Sequence, residues 1–190
     1  MASKTLPNGL RDINRFITST NEEGKAVYSD ALPSNAKWQE IGDSFNFFLG
    51  YTTEKFPACL DPTNGSTPED IEKYSKDLET PCGLAKSTGS VCRIVDFGPG
   101  LGPMHRTISL DFGILLEGTM ECYLDSGEVR TFQRGDICVQ RATSHAWKNV
   151  TADDGWARMV FVLQGCEAPE VKGGKMGEFL EYDGPGVKTS

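Results

Sequence analysis

Histidine is the side chain best suited to bind a metal or move a proton near neutral pH, and this 190-residue chain has two, His105 and His145. His105 follows the stretch Gly98-Pro99-Gly100-Leu101-Gly102-Pro103, and His145 follows Gly135-Asp136-Ile137-Cys138-Val139-Gln140. Forty residues separate the pair, enough for several short antiparallel strands to bring both rings to one place. Arg106 and Arg141 adjoin them in sequence, and guanidinium groups near a pocket favour carboxylate or enolate substrates by bidentate hydrogen bonding. Each is one residue out of strand parity with its histidine, so an ion pair to a surface acid explains it equally well. Arg158 carries the same ambiguity, and Tyr123 and Gln140 are further candidates for contact with a substrate.

The elements that must position these residues are short. From about residue 90 the pattern is one of strands separated by glycine-bearing turns, the signal of a sandwich or barrel. The sequence predicts strands over residues 91–97, 108–116, 119–124, 129–133, 136–140, 145–150 and 157–163. Ser126-Gly127 reads as a hairpin turn, and Gly118 and Gly135 as turn residues. Before this region, residues 45–53 have the bulk of a buried strand. Residues 68–78 read as a helix, with Thr67 as cap, Pro68 at the first helical position and Ile71, Tyr74 and Leu78 on one face. Residues 166–190 read as a strap that is ordered at first and frays toward its end.

Composition narrows the function. Against 19 basic residues stand 27 acidic ones, a net charge of −8, and such a field repels phosphate backbones and anionic lipid. No nucleic-acid partner is expected. No stretch approaches the roughly 20 apolar residues of a membrane helix, and the first residues, MASKTLPNGLRDINRF, lack the apolar core of a signal peptide. No membrane partner and a cytoplasmic location are expected. The six cysteines, Cys59, Cys82, Cys92, Cys122, Cys138 and Cys166, form no CxxC pair and read as reduced thiols. Cys92, Cys122 and Cys138 are expected to be small apolar fillers of the core.

Two stretches resemble the two motifs of the cupins, small antiparallel β-barrels of jelly-roll type. His105-Arg106-Thr107-Ile108-Ser109-Leu110-Asp111, followed after six residues by Gly118, resembles the first motif, with Thr107 in place of its second histidine and Asp111 in place of its glutamate. Gly135 to Asn149 resembles the second, keeping His145 and Asn149, with Gln140 where proline is usual and Ala142 where glycine is usual. The wording MHRTISLDFGILLEGTMECYLDSGE and GDICVQRATSHAWKN is similar to that of single-domain cupins of fungal and bacterial secondary-metabolite biosynthesis.

The resemblance implies an all-β chain: an N-terminal arm with extra strands and a short helix over residues 1–87, a cupin β-barrel over 88–165, and a C-terminal strap over 166–190. It implies a small-molecule substrate and a homodimer. It also implies a divalent metal, zinc, iron or manganese, on His105, Asp111 and His145, a set that leaves open positions on the ion. Residues 105, 107 and 111 share strand parity, as do Trp147 and Asn149 with His145, so Thr107 and Trp147 are expected beside the substrate. Asp111 is about one methylene shorter than the usual glutamate and must come closer to reach a metal. The expected function is a metal-dependent lyase, a decarboxylase or dehydratase, acting on a carboxylated or polyketide-derived metabolite. Three alternatives stay open: a metal-free isomerase, cyclase or dehydratase using a His-Asp acid/base pair, an iron-dependent oxygenase, and a binding module without turnover.

Overall fold

Alternation of buried and exposed side chains builds the barrel. The computed structural model describes residues 5–35, 37–60, 66–80, 82–182, 184 and 187–189. The chain runs through β1 (Thr18–Thr20), β2 (Ala26–Tyr28), β3 (Trp38–Ile41), β4 (Phe45–Thr53), α1 (Glu69–Glu79), β5 (Ser90–Phe97), β6 (Gly100–Leu101), β7 (His105–Arg106) and β8 (Ser109–Glu117). It continues through β9 (Met120–Leu124), β10 (Val129–Phe132), β11 (Ile137–Arg141), β12 (His145–Asn149), β13 (Ala157–Gly165), β14 (Glu170–Val171), β15 (Gly174–Lys175) and β16 (Phe179–Leu180).

Two antiparallel sheets face each other, as in a jelly roll. One has the order β10-β9-β12-β7-β16, with β6 also on β12, and the other β11-β8-β13-β5-β4-β3. Odd-numbered residues of β5, β8 and β13 point inward: Val91, Val95 and Phe97, then Leu115, then Met159, Phe161 and Leu163 are buried. Each such side chain contributes about 1.5–3 kcal/mol by leaving water. Gly113 is the exception in this row, and a Cβ there would meet the Phe161 ring at 2.8 Å. Its absence leaves that ring room in the interior.

The aromatic run of β4 covers the edge of β5 along its length, with the register shifting at a bulge between Leu49 and Tyr51. Helix α1 packs on the outer side of β4, where Tyr74 donates its hydroxyl to the Leu49 carbonyl at 2.7 Å. The helix starts differently from the expectation. Pro68 is the cap residue, with extended ψ of 144°, and no side chain caps the first turn. Proline fixes its own φ but leaves ψ free, so it ends the preceding extended segment as well as it could begin a helix.

Even-numbered Asp96 and Arg158 face outward on β5 and β13, yet they are 0% and 3% exposed. Arg158 makes a two-pronged pair with Asp96 at 2.6 and 2.7 Å and donates to the Arg11 carbonyl at 2.6 Å. Asn8 donates to the same carboxylate at 2.8 Å. The N-terminal arm thus lies over the pair and closes it off from water. Arg158 was expected to contact a substrate; it is instead a clamp between barrel and arm.

The tail is held further along than expected. β16 pairs with β7, and Leu84 and Ala85 donate backbone hydrogen bonds to Lys188 and Thr189. Pro185, Gly186 and Ser190, part of the segment expected to fray, lie outside the described residues.

Removing one member of a buried pair strands the other charge, at a cost of about 3–5 kcal/mol. Arg158→Met is therefore expected to lower the unfolding free energy by that amount, read from a lower urea midpoint at unchanged denaturant slope. A loss below about 1 kcal/mol would show that the pair is solvated.

Candidate active site

The crossing of the chain between sheets sets the site. β7 pairs with β12 so that His105 lies directly opposite His145. Strand pairing stops at Thr107 and Ile108, and β8 begins in the other sheet, pairing with β11 and β13. Asp111 therefore approaches the histidines from across the barrel. The shared parity expected for 105, 107 and 111 assumed one unbroken strand; all three reach the interior, but through a change of sheet.

The imidazole centroids of His105 and His145 are 4.3 Å apart at 54°. His105 Nδ1 lies 3.1 Å from the Pro103 carbonyl and His145 Nδ1 lies 2.9 Å from the Thr143 carbonyl. A carbonyl only accepts, so each Nδ1 carries the proton and each Nε2 presents a lone pair. Burial and the neighbouring His105 lower the His145 pKa to about 3, against the Thr143 hydrogen bond. Burial also lowers that of His105. Both rings are neutral at pH 7.

Asp111 behaves oppositely. Burial raises its pKa to about 6, while the hydroxyls of Ser109 and Thr107 and the charge of Arg93 hold the rise back. Arg93 is buried, donates to the Gly83 carbonyl at 2.6 Å and lies over the Phe47 ring. Sequence reasoning missed it. Its signal was a charged residue at an inward position of a strand otherwise alternating Val91, Val95 and Phe97.

His105, His145, Asp111, Thr107, Arg93 and Trp147 line one cavity of about 80 Å³, walled by Phe45, Phe97, Phe161 and Leu163. Asp111 Oδ1, Arg93 Nε and Trp147 Nε1 are buried without a hydrogen-bond partner. One acceptor and two donors are thus left open on residues that line one small space. Buried polar groups are otherwise nearly always paired.

No family model matches the chain. A protein of the phomopsin biosynthesis cluster of Diaporthe leptostromiformis is 43% identical over 169 residues, 88% of this chain and 86% of that protein. A cupin-domain-containing oxidoreductase of Aspergillus ruber is 38% identical over 191 residues, 93% of this chain and 86% of that protein. An RmlC-like cupin from Shewanella frigidimarina superposes with a TM-score of 0.42 at 11% identity, over 69% of this chain and 85% of that one. The chain belongs to the cupins.

This cupin departs from the expected ligand set. Among the described residues no three His, Cys, Asp or Glu side chains converge closely enough to hold a metal ion. His105, Asp111 and His145 share the cavity but do not form a three-ligand site. The short carboxylate starts from the opposite sheet and is engaged by Ser109 and Thr107, and Thr107 supplies a hydroxyl where a third imidazole would stand.

Four more expected contacts lie outside the cavity. Arg106 reaches Asp125 at 3.6 Å and lies over the Phe179 ring, since its parity turns it toward the strap. Tyr123 donates to Glu121 at 2.8 Å under Lys148, on the outer surface of its sheet. Arg141 is exposed on the outward side of β11. Gln140 is buried, but its amide serves the thiols of Cys122 and Cys138. Asn149 shares His145's side and is structural: its amide donates to the Phe97 and Gly155 carbonyls. The turn before His145 keeps the left-handed backbone of the family's glycine position, with Ala142 at φ 52°.

Stability should follow these shifts. Between about pH 3 and the ordinary imidazole value near 6.5, the unfolded chain binds a proton at His145 that the folded one refuses, so stability falls as pH drops through that window. Asp111 acts oppositely between its ordinary value of 3.8 and about 6, where the folded chain binds the extra proton. The imidazole shift is the larger, and net loss of stability on acidification from pH 6.5 is expected for this pair. Nitrogen-15 spectra of labelled histidine should show His145 as the Nδ1–H tautomer, still neutral at pH 4. A His145 titration midpoint near 6.5 would contradict the buried arrangement.

Proposed function

We propose that this cupin is a small-molecule biosynthetic enzyme whose chemistry is proton transfer at carbon next to a carbonyl, of the isomerase or dehydratase type. The observation that carries the reading is the set of unpartnered polar atoms, Asp111 Oδ1, Arg93 Nε and Trp147 Nε1, on residues lining the histidine cavity. A bound carbonyl compound would satisfy them. Relatives in the phomopsin and oryzine biosynthesis clusters support a small organic metabolite as substrate. The metal-dependent lyase reading has less support, because among the described residues no three donor side chains converge.

The roles follow from the pKa values. A general base works best with a pKa near the operating pH, which favours Asp111, near 6, over His145, near 3. Asp111 would take the α-proton, and the N–H groups of Arg93 and Trp147 would hold the oxygen on which enolate charge develops. The two Nε2 lone pairs would accept hydrogen bonds from substrate hydroxyls and so orient the molecule. A dehydration would continue with Asp111, now protonated, returning its proton to the departing hydroxyl. At roughly 10–15 Å³ per water-sized site, the cavity admits only the reacting end of a metabolite. Among the described residues no helix is long and apolar enough to cross a membrane. A homodimer remains part of this reading, supported by the partly exposed row Val139, Phe112 and Val162 across three paired strands.

The test is solvent deuterium incorporation, followed by proton NMR, into a panel of small β-keto and β-hydroxy acids. Wild-type protein is expected to exchange at least one of them, unaffected by a chelator, with kcat/KM falling as pH drops below about 6. Asp111→Asn should abolish exchange, and Arg93→Met should reduce it by about 10²–10³-fold, as for loss of one oxyanion donor. Exchange that disappears on chelation, or turnover that consumes dioxygen, would overturn the proton-transfer reading in favour of a metal-borne one.

A further inference from the structure

A second polar cluster lies between the two sheets and is not used by the site above. Cys122 on β9 and Cys138 on β11 belong to opposite sheets, and their sulfurs flank one side chain. The Gln140 amide nitrogen donates to both sulfurs, at 3.3 and 3.4 Å. A buried amide committed to two sulfurs is more than an apolar filler requires. Both cysteines also line a separate cavity of about 500 Å³, with Leu124, Phe132 and Val139 among its walls, within the range of ordinary small-molecule pockets.

The two sulfurs are not equivalent. The neighbouring Cys122 thiol holds the Cys138 thiol down, with help from Gln140 and against burial, while the Cys138 thiol and burial push Cys122 up. The thiolate is the nucleophile in sulfur chemistry. Cys138, half-buried where Cys122 is buried, is thus the attacking sulfur and Cys122 the resolving one. Gln140 also accepts the Thr143 hydroxyl at 2.6 Å, and the Thr143 carbonyl accepts the Nδ1 proton of His145. The thiol pair is therefore two residues removed from the histidine pair.

We infer that Cys122 and Cys138 are a reversible dithiol–disulfide couple whose oxidant is an organic hydroperoxide admitted by the second cavity. The Cys138 sulfur attacks the terminal oxygen of the hydroperoxide; an S–O bond forms, the O–O bond breaks, and the alcohol leaves with the thiol proton. The Cys122 sulfur then displaces hydroxide from the Cys138 sulfenic acid; the S–S bond forms and water leaves with the second thiol proton. Two thiols and one hydroperoxide become one disulfide, one alcohol and one water. A thiol reductant reverses the oxidation by exchange. The disulfide would tie the two sheets together and withdraw the acceptors of Gln140, which shifts Thr143 and the hydrogen bond that orients His145.

The experiment treats reduced full-length protein with cumene hydroperoxide or with hydrogen peroxide, then counts thiols and maps linked peptides by mass spectrometry. Loss of two thiols of the six, a Cys122–Cys138 linked peptide, and faster oxidation by cumene hydroperoxide are expected. The His145 Nδ1–H resonance should move on oxidation and return with dithiothreitol. Cys122→Ser should stop at a sulfenic acid on Cys138, trapped by dimedone. No linked peptide in the wild type overturns the couple. Equal or slower oxidation by cumene hydroperoxide overturns the role of the cavity. An unmoved His145 resonance overturns the coupling between the two clusters.

Discussion

Between Arg106 and Ser109 the chain leaves one sheet for the other, and that crossing decides which groups face each other inside the barrel. The two imidazoles come from adjacent strands of one sheet, in direct register, while Asp111 and Arg93 come from the other. Imidazoles and carboxylate can then share a cavity without being neighbours in any strand. Among the described residues, no three such side chains converge on one point in this arrangement. Two sheets about 10 Å apart, as stacked sheets are, leave a gap that one methylene more or less can bridge or fail to bridge.

Burial supplies the rest of the chemistry. The wall of Phe45, Phe97, Trp147 and Phe161 excludes water, which penalises every charged form in the cavity. The penalty acts in opposite directions on acids and bases: the histidines are held neutral and the carboxyl is brought up toward the working pH. No special partner is needed to separate the roles, since both shifts have desolvation as their largest cause. The N-terminal arm contributes indirectly, because β4 brings Phe45 and Phe47 to the open edge of β5. The Asp96–Arg158 pair then fastens the arm to the outside of the sheet.

Much of this was legible in the sequence, for a physical reason. Strands that alternate one wet and one dry face print that alternation in their residues, and β5 and β8 to β13 lie within two residues of the segments read from it. β7 and β16 were invisible because a two-residue pairing has no period. His105, His145, Asp111, Thr107 and Trp147 were legible as site residues through the motifs. Arg106 and Arg141 were chosen for their chemistry and for nearness in sequence, Tyr123 and Arg158 for their chemistry alone, and parity turned each of them outward. Arg93 went unseen for the converse reason: nothing in its neighbourhood resembles a motif, and only its inward position in a strand marks it.

Replacing a histidine by Thr107 and a glutamate by Asp111 changes what the barrel interior can do without changing its fold. A family position filled by a weaker ligand is usually read as a damaged metal site. Here the substituted groups act on each other: the threonine hydroxyl favours the aspartate anion, and the aspartate keeps an oxygen free. A carboxylate with one oxygen engaged, one free and a pKa near neutrality has the properties of a general base. It shares its cavity with a guanidinium whose Nε is unpaired. The losses from one kind of site are, taken together, the requirements of another.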